Sequence, residues 1–488
     1  MIRDYDDAKK QLDKLIGAHG DKRGHLERNL KYGNGDHWQN GDGWSGAKAI
    51  ADKNGLNTWK QAIERIFVPE DIIGDVIDAE LNAASGTPTW RIDGIAGDEE
   101  RQRLTKMLIG WLADSDGHEM VKRAARMALS ARRGVLSLSV SPDALENGFV
   151  PRQPMGSAIE LIELGAHSPL EGGIVGKGSR REGLLLTVHE VDGQDVKSAE
   201  VARLEHVEES DEYHTLIVKF TEGEEYPELT AHNLGGLLTM HQIKAVPILT
   251  DAIVRAQKAA NAHKTGLHES GVAAAFRSII SSNAFPYVEK TDPVTGDKTL
   301  ERAQFKMGHG AWINIVGVPT DNKKAGVRTH ATPNITVIDP VSPQAFDDRV
   351  ESFRRSILRR AGQEHRLINH NQASEVTVQE LRRDFHDSVA SLAREIASAY
   401  SWLLTTVLRL AATFAGEAKY GDVTVVAEAS ISKGVITSSD RKEAREAKGS
   451  GFLSHRTALG KYGIDDSDAE IALIEQERNS AEDSELDE

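Results

Sequence analysis

The chain has 488 residues, with 75 acidic against 59 basic side chains and a formal net charge of −16. That length exceeds a single hydrophobic core and sets an expectation of roughly two to four domains; 39% apolar and 27% charged residues exclude wholesale disorder. The absence of cysteine excludes disulfides, thiolate zinc sites, iron–sulfur clusters and thiol nucleophiles, and the bulk charge argues against avid, non-specific DNA binding.

The opening MIRDYDDAKK is acidic where a signal peptide is basic and then apolar, so no export signal is expected. Segments 4–16, 57–68, 98–115 and 117–133 read as helices, and GTPTWRI (86–92) as a turn entering a short extended run. From 135 to about 236 the texture changes to short runs rich in Val, Leu and Ile. VLSLSV (135–140), AIELIEL (158–164), GLLLTVHEV (183–191) and HTLIVKF (214–220) are expected as strands of an α+β region. Residues 247–265 return to helical spacing, with Ile248, Ala252, Ala256, Ala259 and His263 on one face and Pro247 in the first turn. The stretch 279–340 breaks into short strands and polar loops, with a turn at DPVTGDK (292–298) and a basic loop at 319–334 that lacks an apolar period.

Two helices with clear signals follow. Ser342-Pro343 is an N-cap and N1 proline, and Phe346, Val350, Phe353 and Ile357 repeat at helical spacing before Gly362. The other side of this helix carries Arg354, Arg355, Arg359 and Arg360. After the polar break 363–374, the capping box Thr377-Val-Gln-Glu380 opens a helix whose apolar positions run from Leu381 to Leu410. At ~1.5 Å per residue it would be roughly 55 Å long. Its most apolar window, 399–416, carries Arg409 and several Thr residues, so a buried helix is expected there rather than a membrane span. Three short helices are expected at 440–449, 454–464 and from 467, ahead of an acidic, disordered end. No internal repeat is evident.

Motifs for chemistry are missing. GDGWSGAKA (41–49) places Ala47 where a phosphate-binding loop needs lysine, and GGIVGKG (172–178) reads as a turn. His263 and His268 are five apart, off the spacing of two ligands on one helix face, and His365 and His370 have no carboxylate at ligand spacing. GxSxG is absent. Asp347-Asp348 and Asp465-Asp466 sit in first helical turns, which favour negative charge without any catalytic role. No enzyme, cofactor or metal is expected. What remains is the arginine cluster: residues 349–366 hold six arginines and two acids, or +4. Such a face is either solvated and salt-bridged or set to meet phosphates.

Taken in order, the segments resemble the portal proteins of tailed double-stranded DNA phages. HQIKAVPILTDAIVRAQKAANAHKTGLHESG (241–271) and the run on to 284 are similar to the helix leading into that family's clip. ITVIDPVSPQAFDDRVESFRRSILRRAG (335–362) resembles the return from the clip and the second stem helix, and HRLINHNQASEVTVQELRRDF (365–385) with the helix behind it resembles the tunnel loop. GFLSHRTALGKYGIDDSDAEIALIEQER (451–478) is similar to the family's close, and 57–92 to its wing opening. The resemblance implies an α+β portal-type protomer. It would have a wing at 1–240, a first stem helix and lead-in at 241–278, a clip at 279–341 and a second stem helix at 342–361. A tunnel loop at 362–376, a long helix at 377–416 and a helical crown at 417–488 would follow.

It further implies a homo-oligomeric ring, usually of twelve subunits, at a capsid vertex of the virion, assembled in the host cytoplasm. Double-stranded DNA would pass without sequence specificity. A packaging terminase ATPase, head-completion or adaptor proteins, and capsid and scaffolding proteins would be partners, with no membrane. Gln363, His365, Arg366, Asn369, His370 and Asn371 would line the channel constriction. Phe346, Val350, Phe353 and Ile357 would pack against a neighbouring subunit, and the arginine face would lie near the channel or a subunit seam. The alternatives are a diverged DNA-processing or nucleotide-binding enzyme and a virion adaptor without a channel. Residues 464–488 hold eleven acids and one Arg, or −10, so the bulk charge says little about any inner surface.

Overall fold

The computed structural model describes residues 2–18, 22–36, 70–86, 88–140, 150–191, 194–207, 212–224, 226–275, 278–282, 284–291, 298–302, 315–317, 319–322, 327–330, 334–338, 342–367 and 375–429, with single positions at 68, 293, 296, 332, 431 and 445. The GDGWSGAKA string and the acidic end lie outside them, as do nearly all of the helix expected at 57–68 and of the C-terminal helices. Among the described residues the chain is mixed α+β.

Helix α1 (Tyr5–Gly17) opens on Asp4, whose carboxylate accepts the Asp7 amide at 2.7 Å. Helices α2 (Arg23–Gly33) and α3 (Ile72–Ala84) follow, and α3 is capped in the same way by Asp71 on the Gly74 amide at 2.9 Å. Strand β1 (Trp90–Asp93) and helices α4 (Asp98–Asp114) and α5 (Gly117–Ala131) fall where spacing puts them. Helix α5 buries Val121, Ala124, Ala125, Ala128 and Leu129. Gly134, at the start of β2 (Arg133–Val140), lies so close to the Ala124 carbonyl that no Cβ fits. Strand β2 is the centre of an antiparallel sheet between β3 (Ile162–His167) and β9 (Met240–Lys244).

A second antiparallel sheet runs in sequence order through β4 (Gly172–Val175), β5 (Glu182–Val191), β6 (Gln194–Val207), β7 (Glu212–Thr221) and β8 (Glu228–His232). Helix α1 covers it, setting Ala8, Leu12 and Ile16 against Leu184, Ala199, Val201 and Val218.

Three local expectations are corrected. AIELIEL splits into helix α6 (Met155–Glu160) and β3, because the Pro154 carbonyl accepts the Ser157 and Ala158 amides and starts a helical turn. GGIV within GGIVGKG is β4, and only Gly176 and Gly178, at φ 81° and 60°, make the turn. Pro247 precedes its helix, since the Ala245 and Ile248 amides bond the Arg132 and Leu129 carbonyls and hold that stretch extended. Helix α7 (Asp251–Ala275) begins only after Thr250.

Beyond α7 lie β10 (Ser278–Ser282), β11 (Ala284–Thr291), β12 (Lys298–Arg302), β13 (Ile315–Gly317), β14 (Pro319–Asn322), β15 (Val327–His330) and β16 (Asn334–Ile338). Strands β10 and β16 form an antiparallel ladder from Ser278↔Ile338 to Ser282↔Asn334. The loop expected at 319–334 contains the β14–β15 hairpin, since backbone pairing of β-compatible Thr and Val needs no apolar period. The chain returns through α8 (Pro343–Arg360), with proline in its first turn and Gly362 at φ 69° just past its end.

Helix α9 (Glu375–Ala415) has 41 residues, about 60 Å at ~1.5 Å per residue. Over its last four turns it is buried almost all round, and along its length it packs on α3, α5, α6, β9 and β17 (Thr424–Ala427). Strand β17 pairs with β1, which ties residues 424–427 to the main body. Among the described residues no helix is long and apolar enough to cross a membrane. Arg409 reaches the core as part of α9 and donates to the Val423, Leu234 and Gly235 carbonyls at 3.1, 2.8 and 3.4 Å. Arg409→Leu leaves these carbonyls unanswered, so urea unfolding is expected to show a loss of about 2–4 kcal/mol.

Candidate nucleic-acid interface

The arginine-bearing helix α8 packs along α7, and the contacts show the direction. His263 stacks on Phe353 with ring centroids 5.6 Å apart, and a Cβ on Gly266 would meet Phe346 at 3.0 Å. Later residues of α7 therefore face earlier ones of α8, and the pair is antiparallel. Val350 and Ile357 are buried, while Phe346 and Phe353 are half-buried. The stripe assigned from sequence to a subunit seam thus packs inside the chain, because α7 offers it an apolar and aromatic partner.

On the other side of α8 the arginines are largely answered. Arg354 lies 4.0 Å from Glu70, Arg355 pairs with Glu351 at 3.2 Å, and Arg359 pairs with Glu364 at 2.8 Å. All three are substantially exposed, so each pair contributes only about 0–1 kcal/mol. Arg349 and Arg360 are exposed and have no acidic partner among the described residues. The charge is therefore local and partly neutralised, as a solvated, salt-bridged face would have it.

The turn after α8 differs from its expectation. Gln363 is fully buried, and its side-chain amide donates to the Val76 carbonyl at 2.7 Å. Arg366 donates to the Gln363 side-chain oxygen at 2.9 Å and to the Asp75 carbonyl at 3.3 Å. Gln363 is therefore an anchor on α3 and not a channel-lining side chain. His365 is half-buried with its ring 4.9 Å from Phe385, and Arg366 alone of the three is exposed. Asn369, His370 and Asn371 lie outside the described residues.

Residues that the sequence reading passed over hold this junction together. On α7, Gln257, Asn261 and Thr265 are buried one turn apart. They accept the amides of Ile73, Glu70 and Val68 at 3.1, 3.0 and 3.2 Å, and Gln257 also donates to the Glu70 carbonyl. A polar residue at every fourth position of an otherwise apolar helix face was the available signal. Glu80, on α3, is buried beneath α9 and accepts the Ser388 hydroxyl at 2.5 Å; burial pushes its carboxyl above the usual range.

Two histidine pairs resemble fragments of catalytic sites. His118 Nδ1 lies 2.6 Å from the Tyr400 hydroxyl beside a cleft of about 210 Å³ lined also by Ser85, Val121, Lys122 and Ile396. Burial lowers His118 and raises Tyr400, so the pair is neutral and ties α5 to α9. His167 Nε2 lies 2.8 Å from the Ser137 hydroxyl across the β2–β3 ladder, over Gly165. Among the described residues no cluster of three potential metal ligands occurs.

No protein-family model matches this chain, and no curated protein matches it.

Two substitutions test the junction. Gln363→Leu removes the donor to Val76 and the acceptor of Arg366, so a stability loss of about 1–3 kcal/mol is expected by thermal or urea unfolding. For Glu80 the sign follows from a raised folded-state value: the unfolded carboxyl ionises first as pH rises, so stability present at acid pH is lost on the way to neutrality. Glu80→Gln is therefore expected to raise the melting temperature at pH 8 relative to wild type, with the gain shrinking toward pH 4.

Proposed function

We propose that the chain is the protomer of a portal-type ring, the channel at a capsid vertex through which double-stranded DNA is packaged and later ejected. The observation that carries the reading is the out-and-back path of α7 and α8. An antiparallel helix pair is prolonged by the antiparallel β10–β16 ladder, bears the β11–β15 strands beyond it, and returns through residues 361–367 into a 41-residue helix. Such an arrangement suits a stem carrying a small clip outward from a wing, with the wing formed by the α/β body. The described surface also suits DNA that must slide. Phosphate contacts dominate affinity and act as brakes, and an arginine face already paired with Glu70, Glu351 and Glu364 holds DNA weakly. No base reading is required of a conduit.

In this reading Arg349, Arg360 and Arg366 are the cations of the stem and its turn that remain for phosphates or a neighbouring subunit. The packaging ATPase is a separate chain docking on the clip, head-completion proteins later occupy the same surface, and the protein itself is not an enzyme. The ring belongs to the virion and assembles in the host cytoplasm with capsid and scaffolding proteins. Light scattering of the purified chain is expected to give a closed assembly of about 640 kDa, from twelve copies of 53.3 kDa. A monodisperse 53.3 kDa species at high concentration would contradict it.

A further inference from the structure

Unpaired positive charge is found away from α8 as well as at Arg349 and Arg360 on it. The β4–β5 turn carries Lys177, Arg180 and Arg181, all exposed. Its geometry is fixed by Gly176 and Gly178 at positive φ, by the Arg180 amide on the Lys177 carbonyl at 3.2 Å, and by Arg181 Nε on the Gly178 carbonyl at 3.0 Å. The hairpin is seated against β9: the Ile174 amide donates to the Gln242 side chain at 3.1 Å, and a Cβ on Gly183 would touch Met240 at 3.0 Å. Strand β9 ends on exposed Lys244, and burial first, then the charges of Lys244 and Arg181, hold the His241 imidazole below its usual range. Among the described residues none of these four side chains forms an ion pair with a carboxylate within 4.0 Å, although the Lys244 backbone amide donates to the Glu395 carboxylate at 3.1 Å. Arg354, Arg355 and Arg359 each have one.

We infer that Lys177, Arg180, Arg181 and Lys244 form a binding patch for the phosphate backbone of duplex DNA. Cations carried on one turn repel one another when closer than a Debye length of about 8–10 Å, and in a chain with 75 acidic residues Lys177, Arg180 and Arg181 have no carboxylate within 4.0 Å among the described residues. Arginine forks on a rigid turn match phosphate oxygens, and duplex DNA presents about one charge per 1.7 Å of axis. A protein partner fits less well, because an interface needs an apolar core, and of the exposed large apolar side chains among the described residues Val246 alone follows Lys244, while Val188 lies farther along β5. The patch presents a turn and a strand end, so it contacts the backbone without reading bases. The choice of DNA as the polyanion rests on the proposed function.

The test is fluorescence anisotropy of the full-length chain with a mixed-sequence duplex of about 30 base pairs, from about 50 mM salt upward. Lys177→Glu/Arg180→Glu/Arg181→Glu is expected to weaken binding at least ~10-fold and to reduce the salt slope by about 3, near 0.9 per lost phosphate contact. Arg355→Glu/Arg359→Glu is expected to stay within about 3-fold of wild type, because its cations are already paired. The turn is exposed, so an unchanged melting temperature in the triple variant separates lost binding from lost folding; the corresponding triple alanine variant is the fallback. Wild-type chain that fails to bind, a folded triple variant that binds as wild type does, or polyglutamate competing as strongly as DNA would overturn the inference. Light scattering on the same samples keeps the outcomes apart. A ring without patch-dependent binding sinks this inference alone, and a DNA-binding monomer sinks the portal reading alone.

Discussion

The burial of the second half of α9 on all sides constrains everything around it. A helix that passes through a core has no solvent face on which to place its polar groups, so each one needs a partner inside. Arg409 finds carbonyls at 234, 235 and 423, and Trp402 donates to the Leu238 carbonyl at 2.8 Å. Thr405 accepts the Val425 amide at 2.8 Å. These partners lie in the loop before β9, in the link after α9 and in β17. The polar content of one helix thus fixes the course of two stretches far apart in sequence, 234–238 and 423–425. Gly235 completes the arrangement: its φ of 57° and missing Cβ leave the space that the Arg409 guanidinium occupies.

A second constraint joins this body to the α7–α8 pair, and it is polar rather than apolar. Gln257, Asn261 and Thr265 from one side and Gln363 from the other grip the backbone of α3 and its lead-in. Backbone groups accept few geometries, so such contacts fix register more sharply than greasy packing, at the cost of desolvating each amide. Helix α3 also carries Glu80 to Ser388 of α9. The helix pair is therefore linked to α9 through α3 by contacts that do not cross solvent.

The legible parts of the fold were those where the local signal and the tertiary demand agree. Helices α1, α4, α5, α8 and α9 carry apolar spacing, and strands β2, β5 and β7 carry Val and Leu alternation, so both were readable. Of the expected caps, by contrast, Ser342 makes no side-chain bond and α9 begins at Glu375, two residues ahead of Thr377. Strand β6 was not: QDVKSAEVARLEHV is rich in helix-favouring Lys, Glu, Ala and Leu, and it is a strand because β5 and β7 pair with it on both sides. Helix α7 showed its existence but hid its use, since the face that matters is a polar ladder rather than an apolar stripe. The candidate site was legible as composition and not as geometry. The arginine cluster is present as read, yet its charges meet Glu70, Glu351 and Glu364, of which Glu70 is remote in sequence. The glutamine of the following turn looked like a polar loop residue and is a buried anchor.

The charge of −16 is therefore uneven along the chain: an acidic end by sequence, a helix α8 three of whose arginines are paired, and a β4–β5 turn whose cations have no carboxylate within 4.0 Å among the described residues. Under the proposed function, such a distribution would let DNA slide past α8. Negative-stain electron microscopy of the purified chain tests the central claim most directly. The account predicts closed rings with a central hole in face-on views. Compact particles of single-chain size without a hole would contradict it.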